Sequence, residues 1–534
     1  MTAVPPWAPP FAIREEVHHG RRVRCFGDRP RNLHALLDQA VRRAPDREAV
    51  VDGAARERWA DLDLHAGALA GGLARLGIGA GDRIAIQLDN GRPFLRALWA
   101  CARLGAIAVP LGTRLQAPEV AHALADSGAA AIVVDPPRAV RLPPAAATPA
   151  LRHRIVAGPA GDGLIALDDL VGPAPSVAAV GEDDPAVILY TSGTTGRPKG
   201  AVLTGLGIVH SAMHYQACLD LHEGERTLLA VPASHVTGLV ALIATTARVA
   251  GTLVLMADYR TPAFLDLAAR ERIGFTVLVP AMLNLCLREP GFAATDLSAW
   301  RVCGYGGAPM PEATIAGIAA GLPHLRLANL YGATETTSPT TVMPEGGTAL
   351  HPDSVGRVVP LGDLRIVDED GRERPTGEVG ELWIAGPMVV PRYWQNPAAS
   401  AAAFEGGWWK SGDLGTIDAD GFVRVLDRKK DMVNRGGFKV YGVEVENVLA
   451  ELPGVVESAV IGRPCPVLGE RVHAFVRAAD PAIDLAAIRA FCALRLADYK
   501  VPETLTLIDG PLPRNANGKV MKAELRHRLA EEGT

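Results

Sequence analysis

The sequence has no Cys-x-x-Cys pair and no Cys/His cluster at zinc spacing. Its seven cysteines among 534 residues, Cys25, Cys101, Cys218, Cys286, Cys303, Cys465 and Cys492, stand far apart and are odd in number. That excludes a disulfide framework and points to the reduced thiols of a cytoplasmic protein. A positive field is missing too. With 54 Lys+Arg against 59 Asp+Glu the formal charge is −5, so nucleic acid is not expected as a main partner. No apolar segment precedes Glu15 and Glu16, so no secretory signal is read. The most apolar stretch, 227–257, is broken by Pro232, His235 and Arg248. Its longest uninterrupted piece is shorter than the roughly 20 residues of a membrane span, and it reads as core strand and helix. No fixed-period repeat is present.

What remains is an ordinary globular composition, 48% hydrophobic and 21% charged, long enough for several structural units at roughly 100–200 residues each. The first ten residues, with Pro5, Pro6, Pro9 and Pro10, read as an extended arm. From Leu33 to Leu76 apolar residues recur at helical spacing, followed by a strand from Arg83. Helix then strand returns at 94–104 and 106–110, at 118–126 and 130–134, and at 262–272 and 275–279. This alternation predicts an α/β architecture with largely parallel sheets. After about Gly356 short strands with Asp-Gly turns predict a small β-rich subdomain. From Arg428 a charged, compact α+β pattern follows, so the expected domains are 1–427 and 428–534.

The strongest local signal is Tyr190-Thr191-Ser192-Gly193-Thr194-Thr195-Gly196-Arg197-Pro198-Lys199-Gly200, directly after the apolar run Ala186–Leu189. Glycines allow backbone N–H groups to turn inward, hydroxyls donate, and Lys199 adds charge, a combination suited to polyphosphate oxygens. It is not a Walker A loop, which needs Gly-Lys followed by Ser or Thr.

Tyr190–Gly200 resembles the signature loop of the adenylate-forming superfamily, which includes acyl- and aryl-CoA synthetases. Gly306-Gly307-Ala308-Pro309, Asn329-Leu-Tyr331-Gly332-Ala-Thr334-Glu335, Ser411-Gly412-Asp413, Asp427-Arg428-Lys-Lys430-Asp431, Arg435-Gly436-Gly437-Phe438-Lys439 and Pro513-Arg-Asn-Ala-Asn517-Gly518-Lys519 resemble further motifs in the same order. The resemblance covers about residues 30 to 530. It implies a large N-terminal region followed by a small mobile lid, and an ATP-dependent carboxylate–CoA ligase. Such an enzyme makes an acyl-AMP with release of pyrophosphate and then passes the acyl group to the CoA thiol.

The same resemblance implies the residue roles. Thr191, Ser192, Gly193, Thr194, Thr195 and Lys199 would hold phosphates. Gly307, Ala308, Pro309, Asn329 and Gly332 would bind the nucleotide, Tyr331 would pack on adenine, Thr334 would touch the α-phosphate, and Glu335 would bind Mg²⁺, a hard cation that takes carboxylate oxygens. Asp413 would clamp the ribose with help from Arg428, and Lys430 would be the hinge. Gly436 and Gly437 would face the pantetheine tunnel once the lid has rotated. By composition alone Lys519 is a solvated loop lysine; the resemblance makes it the cation that neutralises charge developing at the α-phosphate.

His235, in Pro232-Ala-Ser-His235-Val236, resembles the histidine that lines the carboxylate site. Aryl enzymes for 2,3-dihydroxybenzoate or salicylate usually carry Asn next, so Val236 argues against those acids, while aryl and fatty or other acyl acids both stay open. Two further departures are Gly205, where His is common, and Gly442, where Pro is frequent. Gly442 is expected to loosen a hairpin lining the acceptor tunnel, which leaves a carrier-protein thiol or a nitrogen nucleophile as alternatives to CoA. A non-catalytic nucleotide-binding homologue would be marked by loss of Lys519, Glu335 or Asp413, and all three are present.

Overall fold

The computed structural model describes residues 7–191, 197–514 and 520–532. The chain forms two compact units. The first comprises Met1–Gly307, Ala313–Leu364 and Ile384–Trp409; the second comprises Ala308–Glu312, Arg365–Trp383 and Lys410–Thr534.

The first unit is built on two large sheets, beside a two-stranded ribbon of Ile13–His18 with Arg21–Phe26. One has the strand order Lys199–Thr204, Pro185–Thr191, Ile107–Pro110, Arg83–Gln87, Ala131–Val134, His153–Val156, Ile165–Ala166. Every neighbouring pair in it is parallel except the hairpin of Pro185–Thr191 with Lys199–Thr204. The second sheet has a parallel core, in the order Arg326–Tyr331, Val302–Gly306, Phe275–Leu278, Arg226–Leu229, Thr252–Leu255 and Glu48–Asp52. Strands 107–110, 131–134, 252–255 and 275–278 are buried at every position. Helices on both faces of a parallel sheet demand such unbroken apolar runs. The helices Arg92–Leu104, Ala117–Ser127 and Thr261–Arg270 lie where the alternating pattern places them.

The run Leu33–Leu76 is not one helix. Helices Leu33–Arg43 and Trp59–Arg75 flank a hairpin, Glu48–Asp52 with Ala55–Arg58. Pro45 withholds an N–H from any continuing helix. The Val50-Val51-Asp52 segment instead pairs in parallel with Leu253–Leu255, a long-range contact that helical spacing cannot reveal.

In the second unit residues 413–417 of strand Trp408–Ile417 pair antiparallel with Phe422–Arg428 about the Asp418–Gly421 turn. The C-terminal sheet runs Phe438–Val440, Val433–Arg435, Gly469–Ala478, Val455–Cys465, with Thr504–Leu507 on Gly469–Ala478. One core holds Val433, Val445, Leu449, Val460 and Ile488 beneath helices Gly442–Ala450 and Leu485–Ala493. A second core holds Ile461, Phe475, Leu525 and Leu529 beneath helix Lys522–Glu532. Gly442 is therefore not in a hairpin. It is the first residue of a helix, and its N–H donates to Asp427 Oδ2 at 2.5 Å. Among the described residues no helix is long and apolar enough to cross a membrane.

Candidate active site

The hairpin of strands 185–191 and 199–204 ends in the register Thr191↔Lys199, and Thr191 Oγ1 donates to the Lys199 carbonyl at 3.4 Å. Lys199 thus stands at the root of a strand rather than within a loop. Ser192, Gly193, Thr194 and Thr195 lie outside the described residues. Gly200 is needed for packing: a Cβ there would come within 2.6 Å of Ile188 Cγ2. Its carbonyl accepts from Trp394 N–H at 2.7 Å, and Ala201 bridges Tyr393. Segment 393–394 is thereby laid along the hairpin.

That backbone contact sets the chemistry. The Lys199 ammonium sits 5.1 Å from the centre of the Tyr393 ring, a cation–π contact. The Tyr393 hydroxyl donates to Glu335 Oε1 at 2.8 Å. One phenol therefore joins the strand-root lysine to the carboxylate expected to bind magnesium. Tyr393 escaped sequence reading, because an aromatic pair in a stretch punctuated by Pro and Asn carries no chemical signature of its own.

Strand Arg326–Tyr331 brings Asn329 and Tyr331 to the carboxyl end of the parallel sheet, where open α/β sheets bind ligands. Asn329 Nδ2 donates to the Ser354 carbonyl at 3.3 Å. Gly332 is followed by the Thr334–Thr336 turn, closed by Ala333 N–H to Thr336 Oγ1 at 3.0 Å. The Glu335 carbonyl accepts from Val390 N–H at 2.9 Å. Gly307, with φ +80°, leads to Ala308 and Pro309, all three exposed. His235 is half-buried; its carbonyl accepts from Leu239 N–H at 2.8 Å at the entry to a π-helical segment, Thr237–Ala244. Such wide turns recur at functional sites. Gly238 permits this one, since a Cβ there would lie 2.2 Å from the Pro232 carbonyl oxygen.

In the second unit Asp413 faces Arg428 across the antiparallel pair, with Arg428 Nε 2.7 Å from Asp413 Oδ1. Asp413 is buried within strand 408–417, and its N–H donates to Ser411 Oγ at 3.0 Å. Lys430 is exposed. Gly436 and Gly437, at φ +59° and +89°, form the two-residue turn between Val433–Arg435 and Phe438–Val440. Positive φ at both positions is what such a turn requires. Lys519 lies outside the described residues.

Glu335 tests whether the residues present fit a divalent cation. It is 9% exposed, and among the described residues no lysine or arginine pairs with its carboxylate. A buried anion without a counter-charge is costly, and a hard cation holding substrate phosphates would relieve that cost. The donor set fits Mg²⁺.

The AMP-binding enzyme family model matches residues 37–394, and the AMP-binding enzyme C-terminal domain model matches 444–519. The chain belongs to the AMP-binding enzyme family. It is 37% identical over 492 residues to a feruloyl-CoA synthase of Amycolatopsis sp, covering 92% of this chain and 97% of the relative. It is 35% identical over 510 residues to the long-chain-fatty-acid–CoA ligase FadD13 of Mycobacterium tuberculosis, covering 94% and 99%. The solved o-succinylbenzoate coenzyme A synthetase MenE of Bacillus subtilis, in complex with ATP and magnesium ion, superposes with a TM-score of 0.83. That match has 29% identity and covers 92% of this chain and 99% of that one. The chain is thus an ATP-dependent, AMP-forming acid–CoA ligase of this family, with a carboxylic acid, ATP and CoA as substrates.

Proposed function

We propose that this enzyme runs two half-reactions with two linings of one site, dividing the work between residues 1–427 and a mobile lid, 428–534. The observation that carries the reading is the Tyr393 hydroxyl, which joins the cation-seeking Glu335 to Lys199 at the phosphate-side hairpin.

In the first half-reaction a carboxylate oxygen of the acid attacks the α-phosphorus, the bond to the β-phosphate oxygen breaks, and pyrophosphate leaves. Bound magnesium would neutralise the phosphate oxygens. Glu335 would hold it, fixed in orientation by Tyr393. Thr191, Ser192, Gly193, Thr194, Thr195 and Lys199 hold the departing phosphates. Tyr331 packs against adenine beside Gly307, Ala308, Pro309, Asn329 and Gly332, and Thr334 contacts the α-phosphate. Asp413 and Arg428, already paired at 2.7 Å, bind the ribose. His235 orients the acid. Lys519 brings its ammonium to the α-phosphate, where fixed charge is worth a few kcal/mol. In the second half-reaction the lid turns about Lys430, Gly436 and Gly437 line the pantetheine path, the thiol sulfur attacks the acyl carbon, and AMP leaves.

A reducing, cytoplasmic setting is supported by seven unbridged, buried cysteines. The acid is an aryl or acyl carboxylic acid, and CoA is preferred as acceptor over a carrier-protein thiol. The test is ATP–pyrophosphate exchange with ferulate, indoleacetate, 2-succinylbenzoate and a long-chain fatty acid, each with and without Mg²⁺. Addition of CoA or a phosphopantetheinylated carrier protein then identifies the acceptor. Magnesium-dependent exchange followed by a CoA thioester is expected; tight nucleotide binding with no exchange for any acid would indicate a non-catalytic homologue.

A further inference from the structure

Lys522, three residues beyond Lys519, is largely buried, with its side chain 14% exposed. Burying an ammonium is unfavourable unless it is paired, and the groups that pair it are informative. Its Nζ lies 2.7 Å from Glu446 Oε1, and that carboxylate oxygen also accepts from Val460 N–H at 2.7 Å. Asp427, 4% exposed, adds its attraction to that of Glu446. A Cβ placed on Gly442 would meet Lys522 Nζ at 3.0 Å and Asp427 Oδ2 at 3.3 Å, so the absent side chain at 442 lets the two charges approach. Burial pulls the Lys522 ammonium down, but Glu446 and Asp427 outweigh it and hold the group above its usual range.

These residues come from both sides of position 430. Asp427 closes strand Phe422–Arg428, the strand whose Arg428 pairs with Asp413. Gly442, Glu446 and Lys522 follow the hinge. One helical turn after Lys522, on the same face, Arg526 pairs with Asp431 at 2.8 Å and donates to the Lys430 carbonyl at 3.4 Å. The base of the Lys519 segment is fastened to the same body. Arg514 bridges Val520, Met521 N–H donates to the Pro513 carbonyl at 2.8 Å, and Arg514 pairs with Glu457 at 2.7 Å. Asp427 thus lies on the strand of the Asp413–Arg428 pair and holds the Gly442 N–H, beside which lies Lys522, two residues beyond Val520. Rotation about Lys430 cannot carry Gly442 away and leave its hydrogen bond to Asp427 intact.

We propose that Lys522 is a positioning residue of the adenylation half-reaction: with Asp427 and Glu446 it forms a buried latch across the Lys430 hinge, which fixes the Lys519 segment relative to Asp413 and Arg428 and opens for thioester formation. This rests on the two-lining reading above. Loss of the latch lowers the population of the adenylation-competent arrangement without touching the groups that meet the thiol.

The experiment compares full-length Lys522→Met, Asp427→Asn and Lys522→Arg with Lys519→Ala, using the panel acid that gives fastest exchange. Pyrophosphate exchange is measured beside thioester formation from supplied acyl-AMP and CoA. Lys522→Met and Asp427→Asn are each expected to lower exchange about tenfold or more, with thiolysis changed by less than about twofold, and Lys522→Arg to recover most of the exchange. Asp427→Asn is isosteric, keeps an acceptor for Gly442 N–H, and so tests the charge even if Lys522→Met folds poorly. Equal loss of both half-reactions, or undiminished exchange in both variants, overturns the latch while a split in Lys519→Ala leaves the two-lining reading standing. No split in Lys519→Ala overturns both.

Discussion

The phenolic hydroxyl of Tyr393 donates to Oε1 of Glu335 at 2.8 Å. A carboxylate that must meet a cation keeps one orientation only if something holds it. Here the holder is a neutral phenol rather than a lysine or arginine.

Tyr393→Phe removes that hydrogen bond while leaving the ring above Lys199. A hydrogen bond to a charged acceptor contributes about 1.5–3 kcal/mol. Exchange at limiting Mg²⁺ is expected to fall by about tenfold and to recover in part as Mg²⁺ is raised, with thiolysis of supplied acyl-AMP unchanged. A Mg²⁺ titration of the exchange rate checks this; an unshifted titration would show that Tyr393 does not orient Glu335.

Lys430→Pro locks φ near −65° at the proposed hinge. Thioester yield is expected to drop at least about tenfold more than pyrophosphate exchange, since on the two-lining reading only the second half-reaction needs a rotated lid. Single-turnover measurement of the two steps separates them, and equal losses would argue against a hinge at 430.

Of the candidate residues, Lys199 is legible from the glycines and hydroxyls beside it, whereas Asp413 and Glu335 are read only through a resemblance carried by short local motifs. The alternation of helix and strand revealed parallel sheets for a similar reason, since strands 131–134 and 275–278 are short apolar runs set between amphipathic helices. What escaped depends on distant contacts. The Glu48–Arg58 hairpin forms because Val50 and Val51 join a strand some two hundred residues away. Tyr393 gains its role from a bridge to Ala201. Gly442 is expected beside a hairpin through the resemblance alone, whereas it starts a helix against Asp427 and Lys522, a placement set by distant contacts.

Stability should follow pH through Glu16. The Arg29 side chain is fully buried, with its guanidinium 2.6 Å from Glu16 and 2.7 Å from Glu182. The hydrogen bond from Arg29 is the main cause holding the Glu16 carboxyl down at about 2, from an ordinary 4.5. Because the folded value lies below the unfolded one, this stabilisation is complete above about pH 4.5 and fades as pH falls toward 2. Its size is on the order of 3 kcal/mol. Glu16→Gln should therefore lower the urea midpoint at pH 7, with the gap to wild type narrowing between pH 4.5 and 2. A gap that stays constant with pH would contradict this.

Lys519→Ala tests the central claim most directly. Acid-dependent ATP–pyrophosphate exchange and CoA thioester formation from supplied acyl-AMP are measured on the same preparation. Two linings of one site predict exchange reduced by at least about a hundredfold, a few kcal/mol of lost transition-state stabilisation, with thiolysis essentially retained. Equal loss of both activities would contradict it.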